Sequence, residues 1–110
     1  MTTVITETLL DALRQRVADL MSYGRYMVGG SWIRSEIVTK EVQQSGIVYV
    51  CFYVNKSAAP ATKFQLLDSS DNVLAEREET LTVPDSYDAV LYRFKFGVSA
   101  GEFTAEDDNE

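Results

Sequence analysis

Asp68 and Asp71 flank two serines, with Asn72 directly after, in the run Asp68-Ser69-Ser70-Asp71-Asn72-Val73. Carboxylates gathered in one short loop can hold a calcium ion. A calcium loop, however, wants Asp-x-Asp/Asn-x-Asp/Asn-Gly, and this run has neither the spacing nor the glycine. It is expected instead to be a turn whose side chains cap its own backbone. Glu76, Glu78 and Glu79 follow as a polar strand face. Gly29-Gly30-Ser31 lacks both phosphate-loop patterns and no helix follows it, so it predicts a hairpin turn. The single cysteine, Cys51, lies inside an apolar run. No internal disulfide can form, and a small buried hydrophobe is the expected role. The chain contains no histidine. That excludes Ser-His-Asp catalysis, a His-activated cysteine and His-ligated zinc, iron or copper. No catalytic residue, metal site or cofactor is therefore expected, and the chain is not expected to be an enzyme.

The aromatic residues offer a second kind of chemistry, stacking. Tyr49, Phe52, Tyr53, Tyr92, Phe94 and Phe96 read as core. Tyr23, Tyr26, Trp32 and Tyr87 fall at element ends. A shelf made by Trp32, Tyr26 and Tyr87 would suit a sugar ring. Filling the seam between a helix and a sheet is the more ordinary use of such residues.

The elements that must position these groups follow from hydrophobic patterning. Ile47-Val48-Tyr49-Val50-Cys51-Phe52-Tyr53-Val54 is uncharged, β-branched and aromatic, which predicts a strand covered on both faces. It reads as the central strand. Before it, residues 1–24 form an amphipathic helix region, with the helix at roughly 4 to 22. Thr2, Thr3 and Thr6 are candidate N-caps, Thr8 and Asp11 have capping-box spacing, and Gly24 is the expected stop. Leu9, Leu10, Leu13, Val17, Leu20 and Met21 make its apolar stripe, with Asp11, Gln15, Ala18 and Asp19 opposite. Within the stripe, Leu10, Leu13, Val17 and Leu20 follow a 3-4-3 spacing, which suits packing on the domain's own sheet or on a second copy.

Residues 25–101 predict an antiparallel β domain. Tyr26-Met27-Val28 is a short strand, and 32–42 a half-exposed one. In the latter Ile33, Ser35 and Ile37 share one face and Trp32, Arg34 and Glu36 the other. Val38 and Val42 break that phase, which predicts a bulge near Ile37-Val38. Gln43-Gln44-Ser45-Gly46 turns the chain into the strand at Ile47. Strands at 62–67 (Phe64 and Leu66 on one face) and 73–80 (an outer, polar strand) follow. Then Val90, Tyr92, Phe94, Phe96 and Val98 alternate with Leu91, Arg93, Lys95 and Gly97, which fixes the register of the last strand. That apolar set is expected to meet the strand at Ile47 across a core. Strands do not alternate with helices, so the fold class is mainly β: an antiparallel sandwich or rolled sheet of six to seven strands with one N-terminal amphipathic helix.

Composition bounds the rest. The 110 residues fit one domain, and 45% hydrophobic with 25% charged is ordinary for a globular chain. Five of the 17 acids stand in residues 102–110 with no base among them, so the net charge of −7 is carried mainly by an acidic tail, expected to be disordered. The nearly neutral body holds no basic cluster, which argues against nucleic acid as a partner. No apolar run approaches a membrane span, and no basic-then-apolar leader opens the chain. The expected location is the cytoplasm, or a virion after assembly.

Asp88-x-Val90-x-Tyr92-x-Phe94 resembles the Asp-x-Ala-x-Tyr-x-Cys stretch of immunoglobulin-like domains, with Phe94 in place of the cysteine. There the tyrosine forms a corner that pins a turn. Trp32 lies too far from the disulfide-core position to serve as that family's tryptophan. The order of features over most of the chain resembles small phage and prophage tail or baseplate proteins. These features are an N-terminal helix, Gly29-Gly30-Ser31-Trp32, a hairpin leading to Phe64-Gln65-Leu66-Leu67-Asp68-Ser69-Ser70-Asp71-Asn72-Val73-Leu74-Ala75, and an aromatic last strand. The resemblance implies a non-enzymatic virion or accessory component that is usually oligomeric. Its partners would be itself, as dimer or trimer, or other virion proteins, met through Leu10, Leu13, Val17 and Leu20. A carbohydrate-binding module using Trp32, Tyr26 and Tyr87 is the alternative.

Overall fold

The computed structural model describes residues 2–3, 6–43, 46–97 and 103–104. The elements are β1 (Thr2–Thr3), α1 (Glu7–Leu20), β2 (Tyr23–Val28), β3 (Ser31–Val42), β4 (Ile47–Asn55), β5 (Ala61–Leu67), β6 (Val73–Leu81), β7 (Ala89–Gly97) and β8 (Phe103–Thr104). β1 and β8 form a two-stranded ladder. The other six strands form one curled sheet in the order β6-β5-β2-β3-β4-β7, antiparallel throughout. This is the rolled-sheet form of the expected mainly β architecture. The remainder of the acidic stretch 102–110, like Val98 and the Gln44-Ser45 pair, lies outside the described residues.

Local chemistry accounts for the elements. Thr6, rather than Thr2, Thr3 or Thr8, caps α1: its Oγ1 accepts from the Leu9 N–H at 3.3 Å, and Glu7 complements the helix dipole in the first turn. Thr2 and Thr3 belong to β1 instead. Gly24 is not the helix stop. The helix ends at Leu20 because Met21 turns extended and the Ser22 N–H is captured by Leu67 O at 2.7 Å. From Tyr23 the chain runs as strand, so the first strand of the sheet begins three residues before the expected Tyr26. Gly29 and Gly30 both have positive φ, 58° and 83°, which makes the two-residue hairpin between β2 and β3.

β3 pairs with β2 through its first half and with β4 through its second. The register slips between Ile37 and Thr39, which places the bulge where the broken alternation predicts it. There the strand bends and hands the sheet from one half to the other. β6 lies at the sheet edge, as its charges require.

The core sits inside the curl. It contains Tyr26, Val48, Val50, Phe52, Val54, Phe64, Leu66, Tyr92 and Phe94, with Ala18 of α1 and the Met21 that follows the helix packed against them. Two expectations about β4 are corrected. It is the penultimate strand, not the central one, and it lies hydrogen-bonded beside β7 rather than across a core from it, with Val50 paired to Phe94 and Phe52 to Tyr92. Its outer face is only partly covered. Cys51 is buried there, but Tyr53 is exposed. The strand buried on both faces is the end of β5, where Phe64, Gln65, Leu66 and Leu67 are all enclosed. The immunoglobulin-type corner does not form: the Tyr92 hydroxyl donates to Glu79 Oε1 on β6, at 2.8 Å, not to the backbone of a nearby turn.

Candidate interaction surfaces

Helix α1 carries more apolar surface than its own sheet uses. At about 100° per residue, the buried or part-buried residues Val17, Leu10, Met21, Arg14 and Ala18 span roughly 100° of the helix. The helix is therefore rolled toward Arg14 and Ala18, and Ala18, expected on the solvent side, is fully buried. Arg14 is buried with its guanidinium on Asp11 at 3.0 Å and Glu7 at 3.4 Å. The roll leaves Leu9, Leu13 and Leu20 exposed at 48, 41 and 39%, within an arc of about 40°. Arg16 lies about 20° beyond that arc, also exposed. The predicted interaction set is thereby divided. Leu10 is 2% exposed and unavailable, Val17 packs against the core, and Leu13 and Leu20 remain at the surface. Leu9 and Arg16 complete the surface stripe, which reads 9, 13, 16, 20. The 4-3-4 spacing was present in the sequence. Only the roll of the helix decides between it and the 3-4-3 set.

The second surface is the outer face of β3, β2, β5 and β6. The hairpin turn sets Arg25 opposite Arg34 and Met27 opposite Trp32. Each arginine lies over an aromatic ring one step diagonally away, Arg25 over Trp32 at 4.4 Å and Arg34 over Tyr23 at 4.0 Å. Arg25 Nε donates to Gln65 Oε1 at 2.7 Å, and Gln65 Nε2 donates onward to Glu76 Oε1. Arg34 Nε donates to Glu36 Oε2 at 2.7 Å. The Tyr23 hydroxyl donates to Asp71 Oδ1 at 2.6 Å, and the hydrogen bond to that carboxylate raises the phenol pKa. Of the two facing cations, Arg34 is paired with the Glu36 carboxylate and Arg25 with the neutral Gln65 amide, and both are stacked on rings. The network is a cross-strand brace. A two-residue turn at Gly29-Gly30 already implies the Arg25–Arg34 pairing, so this feature was readable and missed.

The predicted sugar-facing aromatics are not brought together. Trp32 is on the outer face, 37% exposed and stacked on by Arg25. Tyr26 is inside, 1% exposed, its hydroxyl accepting from the Asn55 N–H at 3.1 Å. Tyr87 is exposed in the turn between β6 and β7.

The Asp68 turn caps itself as expected. The Asp68 carboxylate accepts from the Ser70 and Asn72 backbone N–H groups, both at 2.9 Å, and from Asn72 Nδ2 at 3.1 Å. These bonds, the Asn72 backbone bond foremost, lower its pKa. The stabilisation is present above the ordinary carboxylate pKa near 4 and is lost as pH falls through the lower folded value. Asp68→Ala should lower the melting temperature at pH 7 and flatten its fall below pH 4, both read by thermal denaturation across pH. Among the described residues, no three of Cys, Asp and Glu cluster as a metal site. Burial pushes the Cys51 thiol pKa up, the opposite of nucleophile activation. Among the described residues no helix is long and apolar enough to cross a membrane. Comparisons with protein-family models, curated proteins and solved structures give no match to this chain.

Proposed function

We propose that this chain is a non-enzymatic structural protein, a tail or baseplate component of a phage or prophage virion, that self-associates through α1. The observation that carries the reading is the exposed Leu9, Leu13 and Leu20 stripe on a helix whose other face is already packed on its own sheet. Burying one such leucine contributes about 1.5 kcal/mol or more, and symmetric pairing brings every leucine in twice or three times. The virion assignment rests on the order of helix, glycine turn, hairpin and aromatic strand. The braced outer face and the self-capped turn suit a part that holds shape. Carbohydrate binding is the second reading and loses Tyr26 of its three aromatics to the core, with Trp32 and Tyr87 still exposed.

Sedimentation equilibrium tests it. The wild-type chain should behave as a dimer or trimer. Leu13→Asp should lose the helix contact and sediment as a smaller species than the wild type, with unchanged circular dichroism because Leu13 is at the surface. A wild type that stays monomeric across the concentration range would overturn the reading.

A further inference from the structure

Both ends of the curled sheet are nine-residue strands, β6 and β7, each with one side unpaired among the described residues. They are not hydrogen-bonded to each other. Side chains bridge the seam between them. The Tyr92 hydroxyl reaches Glu79, and the Arg77 guanidinium lies 5.7 Å from the Phe94 ring centroid. Both contacts obey one antiparallel register, Arg77 opposite Phe94 and Glu79 opposite Tyr92. The same register sets Glu78 opposite Arg93 and Glu76 opposite Lys95 on the outer face, where all four are exposed. The two edges are therefore matched in length, register and charge.

Closure within one chain is opposed by what fills the curl. Phe64 and Tyr92 are stacked at 3.9 Å beneath the seam, with Phe94 edge-on to Tyr92 at 5.4 Å and Phe52 at 5.8 Å. An eight-stranded barrel is just wide enough for its interior side chains, and six strands enclose less. The aromatic core keeps β6 and β7 from pairing with each other, and each is left with one edge that has no strand neighbour among the described residues.

We propose that β6 of one copy pairs with β7 of the next, antiparallel and in this register, so that the sheet continues from chain to chain. The strand count favours it. Six alternating strands end in edges of opposite direction, so copies in the same orientation extend the ladder without reversal. Charge favours it too. Pairing β7 with another β7 would gather Arg93 and Lys95 against their own kind, and pairing β6 with β6 would gather the acids. The contact is head to tail, so it closes into a ring or runs on as a filament. It uses a surface separate from the α1 stripe and does not rest on it.

A charge exchange tests the proposal, done on a Leu13→Asp background so that the helix contact is absent. That parent should still associate by sedimentation. Glu76→Lys with Glu78→Lys makes both edges basic and should give a monomer. Arg93→Glu with Lys95→Glu makes both edges acidic and should give a monomer as well. Mixing the two variants should restore association to within about threefold of the parent's midpoint concentration. A Leu13→Asp parent that is monomeric, single-edge variants that associate like the parent, or a mixture that stays monomeric would each overturn strand pairing. A monomeric Leu13→Asp parent beside an associating wild type overturns strand pairing while upholding the helix contact, so the two readings fail separately.

Discussion

Gly24→Ala is expected to cost about 3 kcal/mol or more, the upper end of what overpacking costs in a close-packed core. Gly24 is in β2, in register between Ser35 of β3 and Leu66 of β5. The Phe52 ring of β4 reaches over it. A Cβ at Gly24 would stand 2.8 Å from Phe52 Cγ and closer still to Cδ2 and Cε2. Phe52 is fully buried and packed on Tyr92 and Phe94, so its ring has no free rotamer to retreat to. The backbone of β2 cannot move either, because both its neighbours hold it. Denaturant unfolding should show the loss as a lower midpoint. Phe52→Leu alone should cost on the order of 1 kcal/mol. The double variant Gly24→Ala/Phe52→Leu should be more stable than Gly24→Ala alone. A double variant that shows only the sum of the two losses would separate the glycine from the ring.

The second large effect is at alkaline pH. Tyr92 is raised to about 12, first by burial and then by its hydrogen bond to Glu79. An unfolded tyrosine ionises near 10. The unfolded chain therefore loses its proton first, and the stabilisation is complete below pH 10 and disappears as pH rises through 12. A shift of this size corresponds to something on the order of 2 kcal/mol. Tyr23, held by Asp71, shifts in the same direction, and the buried Cys51 thiol adds a loss that begins lower, near its ordinary range. Tyr92→Phe isolates the main contribution. Its stability should fall less between pH 10 and 12 than that of the wild type, measured by urea unfolding at fixed pH. Equal slopes would place the alkaline loss elsewhere.

These two positions show what was and was not legible in the residues. The alternation in 90–97 announces Tyr92 as inward, and the phase break at Val38 announces the bulge, because both are properties of period two along one strand. Gly24 could not be read that way. Beside a helix it looks like a stop signal, and the need for a missing side chain arises from Phe52, which is 28 residues away in sequence. Strand order failed for the same reason. An apolar run says that a strand is covered, but not which strands are its neighbours. The apolar content of Ile47-Val48-Tyr49-Val50-Cys51-Phe52-Tyr53-Val54 therefore fits a penultimate strand as well as a middle one. The helix stripe shows a third limit. Its full apolar arc was visible, but how far α1 rolls onto the sheet depends on burying Arg14 with Asp11 and Glu7 attached. Helical periodicity places an arginine with the solvent, so Leu13 and Leu20 were grouped with Leu10 and Val17.

The bend in β3 has a consequence for how the molecule comes apart. One half of the sheet closes on the first six residues of that strand and the other half on the last. Neither half has a complete set of neighbours without it. The two halves are thus not separable folding units. Loss of β3 from either side removes a wall from both. The molecule should accordingly resist tension or heat as a single body until it yields, with no partly open form that keeps one half intact.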